Sequence, residues 1–158
     1  MIKRGSTAIA AIALAIAVGC FGFVLGKHEV SAATVSHPVI MTKLQIEGQI
    51  FKDFEPVVET HGADTTYDVE AFLSSDRHFD AGVYRAGKSR YDIQEPYGVD
   101  EYMHFIEGGV TLTSSDGTVT KAGPGDSVII PKEWTGIWET DGYQKIYVIY
   151  SPDAPLSE

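Results

Sequence analysis

Asp100, Glu101 and His104 stand together in the short segment DEYMHFIE, the nearest this sequence comes to a group of catalytic or metal-binding side chains. A carboxylate with a histidine is ordinary material for general acid–base work or for a transition-metal site. The spacing argues against both. In a strand, successive side chains point to opposite faces, so Glu101, Met103 and Phe105 share one face while Tyr102, His104 and Ile106 share the other. One ion cannot take Glu101 and His104 together without a bulge. Asp100 and Glu101 point apart and are not a catalytic carboxylate pair. His61 and His78 fall in or near turn sequences, His37 lies in a linker, and no two histidines have metal-ligand spacing. Glu101 is thus left as a lone acid or base, or as an acceptor for a ligand's amine or hydroxyl. Its bland alternative is an ion pair with Arg85, Lys88 or Arg90. Those cations could equally capture a carboxylate ligand, or pair locally with Asp80, Asp92 or Glu95. There is no phosphate loop, nucleophile elbow or dinucleotide fingerprint.

The elements that must position these residues read as β throughout. Beyond residue 34, short alternating segments are separated by Gly, Pro, Asp and Ser, with no sustained helical period. Residues 41–51 and 54–59 read as opening strands, followed by a turn over 61–64 and a strand over 65–73. Residues 79–85 and 88–93 read as a hairpin around Ala86-Gly87. Further strands are expected over 101–107, 110–113, 118–121, 127–130, 135–140 and 145–150, with a two-proline tail over 151–158. Many short strands at this spacing mean a sandwich or a barrel. On a strand through Gly136, Trp134 and Trp138 share its face.

Glu107-Gly108, the hairpin at Asp116-Gly117, the turn Gly123-Pro124-Gly125-Asp126 and the strand end at Pro131 are in a register that resembles the two motifs of the cupins. The resemblance covers about residues 81–150 and lies nearest the ureidoglycine aminohydrolases and the ethanolamine-utilisation cupins. It implies an all-β, double-stranded jelly-roll barrel, with residues 34–80 opening the barrel, 81–150 as its core and 151–158 as a flexible tail. It also implies a metal site of two His and a Glu from the first motif and a His from the second. Here Glu101 holds the Glu position. The His positions fall at Glu95 and Tyr97, or at Gln94 and Pro96 if the loop is one residue longer, and at Gly136. No tightly held transition metal is therefore expected, since catalytic sites typically take three protein donors. In the family's register the Glu101 face looks inward. The implied pocket has Glu101 among Met103, Phe105, Tyr97, Trp134 and Trp138, with core packing as the alternative role of both tryptophans.

Lys3 and Arg4 precede an uncharged run over residues 7–26, TAIAAIALAIAVGCFGFVLG. Its length suits a bilayer-spanning helix, and the flanking charge would send the rest of the chain across the membrane. Three readings stay open: an uncleaved anchor, a signal cleaved after Ala32 or Ala33, and lipidation at Cys20. Each places the domain outside the cytoplasm. The net charge is −10. Removing residues 1–33 takes away Lys3, Arg4, Lys27 and Glu29 and leaves about −12, which disfavours nucleic acid and anionic lipid as partners. Cys20 is the only cysteine, so the domain has no disulfide to use. These readings converge on an exported or membrane-tethered barrel that binds a small organic molecule without the usual metal tetrad. The alternative is an enzyme of the amidohydrolase-like cupin type with Glu101 as general base or metal ligand. A third reading is a structural protein docking a membrane partner. A homodimer through residues 41–51 is expected as well.

Overall fold

A computed structural model describes residues 37–62 and 64–156. The expectations for the hydrophobic N-terminal segment, for its cleavage and for Cys20 lie outside these residues. Among the described residues no helix is long and apolar enough to cross a membrane.

The described residues build two antiparallel sheets from ten strands. They are β1 (Val57–His61), β2 (Asp64–Leu73), β3 (Phe79–Ala86), β4 (Ser89–Ile93), β5 (Asp100–Gly108), β6 (Val110–Ser114), β7 (Val119–Ala122), β8 (Ser127–Ile130), β9 (Gly136–Thr140) and β10 (Tyr143–Tyr150). The larger sheet runs β1-β2-β3-β10-β5-β8 and the smaller β4-β9-β6-β7. From β3 onward the chain crosses between the sheets at every step except β6 to β7, and the two inner faces enclose one core, which is the jelly-roll arrangement. The core joins Met103, Phe105 and Ile130 of the larger sheet to Val110, Leu112 and Trp138 of the smaller.

Two expectations are corrected. Residues 41–51 form no strand: a π-helical turn, Gln45–Gln49, runs into helix α1, Ile50–Asp53. Thr42 and Gln45 cap its start reciprocally, since the Thr42 amide donates to Gln45 Oε1 and the Gln45 amide to Thr42 Oγ1. Gly48, at φ +115°, breaks the turn where an added Cβ would come 3.0 Å from Arg85 Nη2. Ile50, with Met41 and Phe51, then packs on Val69 and Val83, covering part of the larger sheet's outer face. Burial of Ile50 overrides the apparent alternation. The second correction is at Ala86-Gly87. Strand β3 pairs with β2 and β10, while β4 pairs with β9, so no hairpin joins β3 to β4. A two-residue hairpin favours a positive φ in its loop. Gly87 is not among the positive-φ glycines; its amide instead donates to Asp64 Oδ1 at 2.8 Å. The chain turns a corner there from one sheet to the other.

Candidate functional site

Strand alternation puts Glu101, Met103 and Phe105 of β5 inside the barrel, as the resemblance implied. The same alternation brings in Tyr143, Lys145, Tyr147 and Ile149 of β10. A register shift lies between Gln144 and Lys145, where β10 faces β5. Gln144 turns outward to donate to the Ile46 carbonyl at 2.6 Å and accepts from Arg85. Lys145 turns inward and is 1% exposed.

Lys145 is the residue that sequence reasoning missed. Its Nζ lies 2.5 Å from Glu101 Oε1, and Glu101 is itself 2% exposed. The other carboxylate oxygen, Oε2, accepts the Tyr97 hydroxyl at 2.5 Å. Nζ also sits 3.3 Å from Met103 Sδ and 5.3, 5.4 and 5.6 Å from the ring centroids of Tyr84, Trp138 and Tyr143. These distances are within cation–π range. The ammonium is held by one carboxylate, one thioether and three ring faces. A signal existed in YQKIYVIY: a lysine on the face of a strand that otherwise carries tyrosine and isoleucine.

Tyr97 closes this centre toward solvent. It comes from the loop after β4, which is strapped to the loop before β9: the Tyr97 amide donates to the Trp134 carbonyl at 3.0 Å and the Gly98 amide to the Lys132 carbonyl at 2.8 Å. The rings of Tyr97 and Trp134 meet edge to face at 6.4 Å, and Trp134 Nε1 donates to Ser114 Oγ. Burial, then the Glu101 charge, push the Tyr97 hydroxyl well above its ordinary pKa. It is a proton donor here. The structure thus brings Glu101, Met103 and Tyr97 together around Lys145, with Trp138 as one wall. Trp134 stands behind Tyr97, and Phe105 packs deeper, edge to face with Tyr143 at 5.6 Å.

A second acid centre shares the interior. Tyr147 donates to Asp68 Oδ1 at 3.0 Å, its hydroxyl passing over Gly82, where an added Cβ would lie 2.7 Å away. Burial raises Asp68 to about 6, against the lowering effect of Tyr147 and Lys145. Asp80 is raised to about 7 by burial and by the nearby charges of Glu70 and Asp68. Among the described residues, Asp80 Oδ1 and Trp138 Nε1 are buried without a hydrogen-bond partner.

These residues do not fit the metal that the resemblance would supply. Both oxygens of Glu101 are taken, one by an ammonium. A side chain at Gly136 would meet Thr113 O at 2.2 Å and Trp134 Cζ2 at 2.8 Å. Among the described residues no three His, Cys, Asp or Glu side chains gather to hold an ion. His104 sits on the outer face and bonds Ser127 Oγ at 3.0 Å, His61 pairs with Glu59, and His78 bonds the Ser151 carbonyl. None of the cations named from sequence pairs with Glu101: Lys88 pairs with Asp141, Arg90 with Glu139, and Arg85 bonds Gln144.

Comparison with known proteins agrees with this architecture. A family model for EutQ-like cupin domains matches residues 73–147. The EutQ protein of Clostridium difficile is 25% identical, over 59% of this chain and 67% of that one, with a TM-score of 0.49. A DUF861-family protein of unknown function from Pseudomonas syringae pv. tomato is 19% identical with a TM-score of 0.52, and the match spans 60% of this chain and 40% of that one. A DUF861-family protein from Thermotoga maritima is 26% identical over 41% of this chain and 73% of that one, with a TM-score of 0.37. Among curated proteins none matches the chain by sequence. Residues 73–147 are thus those of a EutQ-like cupin domain, and the two-sheet barrel they help build has the cupin fold.

Proposed function

We propose that this cupin binds a small organic molecule at the Tyr97 end of the barrel, and does so outside the cytoplasm, tethered or released there by its N-terminal segment. The observation that carries the reading is the buried chain Tyr97–Glu101–Lys145. Removing two charges from water costs several kcal/mol each, and apolar replacement of such a pair is often neutral or stabilising. An ion pair at the centre of an aromatic core is therefore weakly explained by stability and better explained by use. Trp138, whose indole face meets the Lys145 ammonium, also carries a buried Nε1 without a partner among the described residues. Entry requires the Tyr97 loop to lift from Trp134, a movement that breaks two backbone hydrogen bonds. The bound molecule then inherits the Tyr97 bond to Glu101 Oε2. Export rests on Lys3, Arg4 and the uncharged run over residues 7–26.

A direct test is native mass spectrometry of the full chain released from detergent, beside thermal shifts against a panel of small polar aromatics, amides and amines. A co-purifying molecule, or a stabilising compound whose effect drops tenfold or more in Glu101→Gln and Tyr97→Phe, is the expected result. A compound that stabilises both variants as much as it stabilises the parent chain would place the binding elsewhere. A C-terminal reporter active only beyond the membrane would support export; activity of a cytoplasm-only reporter would contradict it.

One observation favours catalysis as a second reading. Tyr97, Glu101 and Lys145 form an unbroken hydrogen-bonded line from the barrel mouth to its centre, so Glu101 can accept a proton from a substrate that displaces Tyr97. Turnover of an amide or amine substrate, lost in Glu101→Gln with binding retained, would select it.

A further inference from the structure

We propose that Lys145 is the amine of a covalent site, condensing with a small aldehyde to form a protonated Schiff base inside the barrel. This rests on ligand entry past Tyr97, as proposed above, and gives that entry a ligand class. Lys145 and its counter-ion Glu101 are both buried. An ion pair that only braced the core would be better made by arginine, whose planar fork grips a carboxylate at two points and keeps its charge. Lysine holds on through one nitrogen and can release a proton to become a nucleophile. Here Nζ reaches Glu101 Oε1 alone, while Oε2 is left to the Tyr97 hydroxyl.

The cage suits the product as well as the ammonium. One N–H of the ammonium reaches Glu101, and Met103 Sδ, a weak acceptor, lies 3.3 Å from the same nitrogen. A protonated Schiff base gives up two N–H bonds and keeps the third, together with the positive charge. The bond to Glu101 therefore survives, and so does the attraction of the Tyr84, Trp138 and Tyr143 ring faces. Only the thioether contact is lost. Met103 and Trp138 are fully buried, so hydrolysis of the imine waits on water entering past Tyr97.

Glu101 carries the protons of the reaction. Lys145 first gives it one and becomes an amine. The nitrogen lone pair then bonds to the carbonyl carbon, the carbonyl π pair moves to oxygen, and that oxygen takes the proton from Glu101. A second proton passes from nitrogen through Glu101 to the new hydroxyl. The hydroxyl leaves as water while the nitrogen lone pair closes the C=N bond. The iminium keeps one N–H, Glu101 ends as the carboxylate it began as, and no oxidant or reductant is consumed. The Tyr97 ring sets the size: the lifted loop vacates room for an aldehyde up to about a phenol ring. Three aromatic rings already crowd the nitrogen, which favours an aldehyde carbon over the more substituted carbon of a ketone.

The test treats the full chain in mild detergent with benzaldehyde and sodium cyanoborohydride, which reduces an iminium to a stable secondary amine. Peptide mapping should find one benzyl group on Lys145, added about tenfold faster or more than on Lys43, Lys52, Lys88, Lys121 or Lys132. Lys88 and Lys132 bond Asp141 and Asp153, which hold them above the ordinary lysine pKa and so protonated. Lys145→Arg keeps a charge beside Glu101 without a nucleophilic amine. It should abolish the fast addition and leave the near-ultraviolet spectrum unchanged. If that variant misfolds, the site map of the parent still decides. Addition confined to the surface lysines, with Lys145 unmodified, would overturn the proposal. Benzyl alcohol has the ring without the carbonyl and separates covalent capture from simple binding. Thermal stabilisation by the alcohol, with Lys145 unmodified, would sink the Schiff base and spare ligand entry at Tyr97. Absence of both effects would count against the two together.

Discussion

Glu101 and Asp80 are two carboxyls inside one barrel with opposite electrostatic surroundings. Glu101 has an ammonium on one oxygen and a hydroxyl on the other, and three aromatic rings surround the ammonium. Asp80 has an orphaned buried oxygen and faces the like charges of Asp68 and Glu70, so it is raised to about 7. The difference shows where the interior has been fitted to charge. At the Tyr97 end every polar atom of the ion pair is matched. At the Asp80 end the carboxyl avoids an unfavourable charge by keeping its proton. Both lie on strands whose pattern is the same alternation, so the contrast comes from which side chains reach across the barrel, not from secondary structure.

The largest expected effect comes from breaking the matched end. Lys145→Met leaves Glu101 buried without a counter-charge, and should cost about 3–5 kcal/mol in chemical denaturation. Lys145→Met with Glu101→Leu removes both charges and should recover most of that loss, or exceed the parent's stability. If the single and double replacements are equally damaging, the pair matters for shape and not for charge.

The unmatched end should show itself in pH. Asp80 and Asp68 keep protons in the folded chain at about pH 5, where the unfolded chain has released them. Their contribution is therefore fully present below 3.8 and is lost as pH rises through about 6 for Asp68 and about 7 for Asp80. Denaturation midpoints should fall between pH 5 and pH 8 as far as these groups decide. Asp80→Asn should flatten that slope and gain on the order of 1–3 kcal/mol at pH 8. A slope unchanged in Asp80→Asn would assign the titration to other groups.

Much of the barrel was legible because its physics is local. Period-two alternation put Glu101, Met103 and Phe105 on one face, and the turn at Gly123-Pro124-Gly125-Asp126 closes as read, with the Asp126 amide donating to the Gly123 carbonyl at 3.0 Å. What stayed hidden depends on distance across the fold. Lys145 is 44 residues from Glu101, and no spacing rule couples them. Apolar residues over 41–51 look strand-like until Ile50 has Val69 and Val83 to pack on, although the Thr42–Gln45 capping box was a local clue. Ala86-Gly87 resembles a hairpin loop by composition. Which sheet each flanking strand joins is decided by β10 and β9, far along the chain.

Tyr97→Phe probes the matched end more gently. It deletes one hydrogen bond to a charged acceptor and leaves the ion pair in place, so the expected loss is about 1.5–3 kcal/mol. The replacement should also loosen the loop that carries Tyr97, read as faster amide exchange at Tyr97 and Gly98, whose bonds to residues 132–134 strap it down. Loss of stability without faster exchange would separate the hydroxyl from the closure of the mouth.

The smallest effect takes the comparison from the interior to the skin of the barrel. Arg90 and Glu139 form an ion pair at 3.1 Å on strands β4 and β9, with both side chains about half exposed. Water screens the attraction and both long side chains lose freedom when they pair, so a double-mutant cycle with Arg90→Ala and Glu139→Ala should give a coupling of about 0–1 kcal/mol. Raising the salt to about 1 M shortens the screening length to roughly 3 Å and should erase it. The Lys145–Glu101 coupling, measured by the analogous cycle, should persist at the same salt because neither group meets the solvent. Equal salt sensitivity of the two cycles would mean that the Tyr97 loop opens often enough to let ions reach the barrel centre. That would turn the contrast between interior and surface into a measure of how readily the mouth admits a ligand.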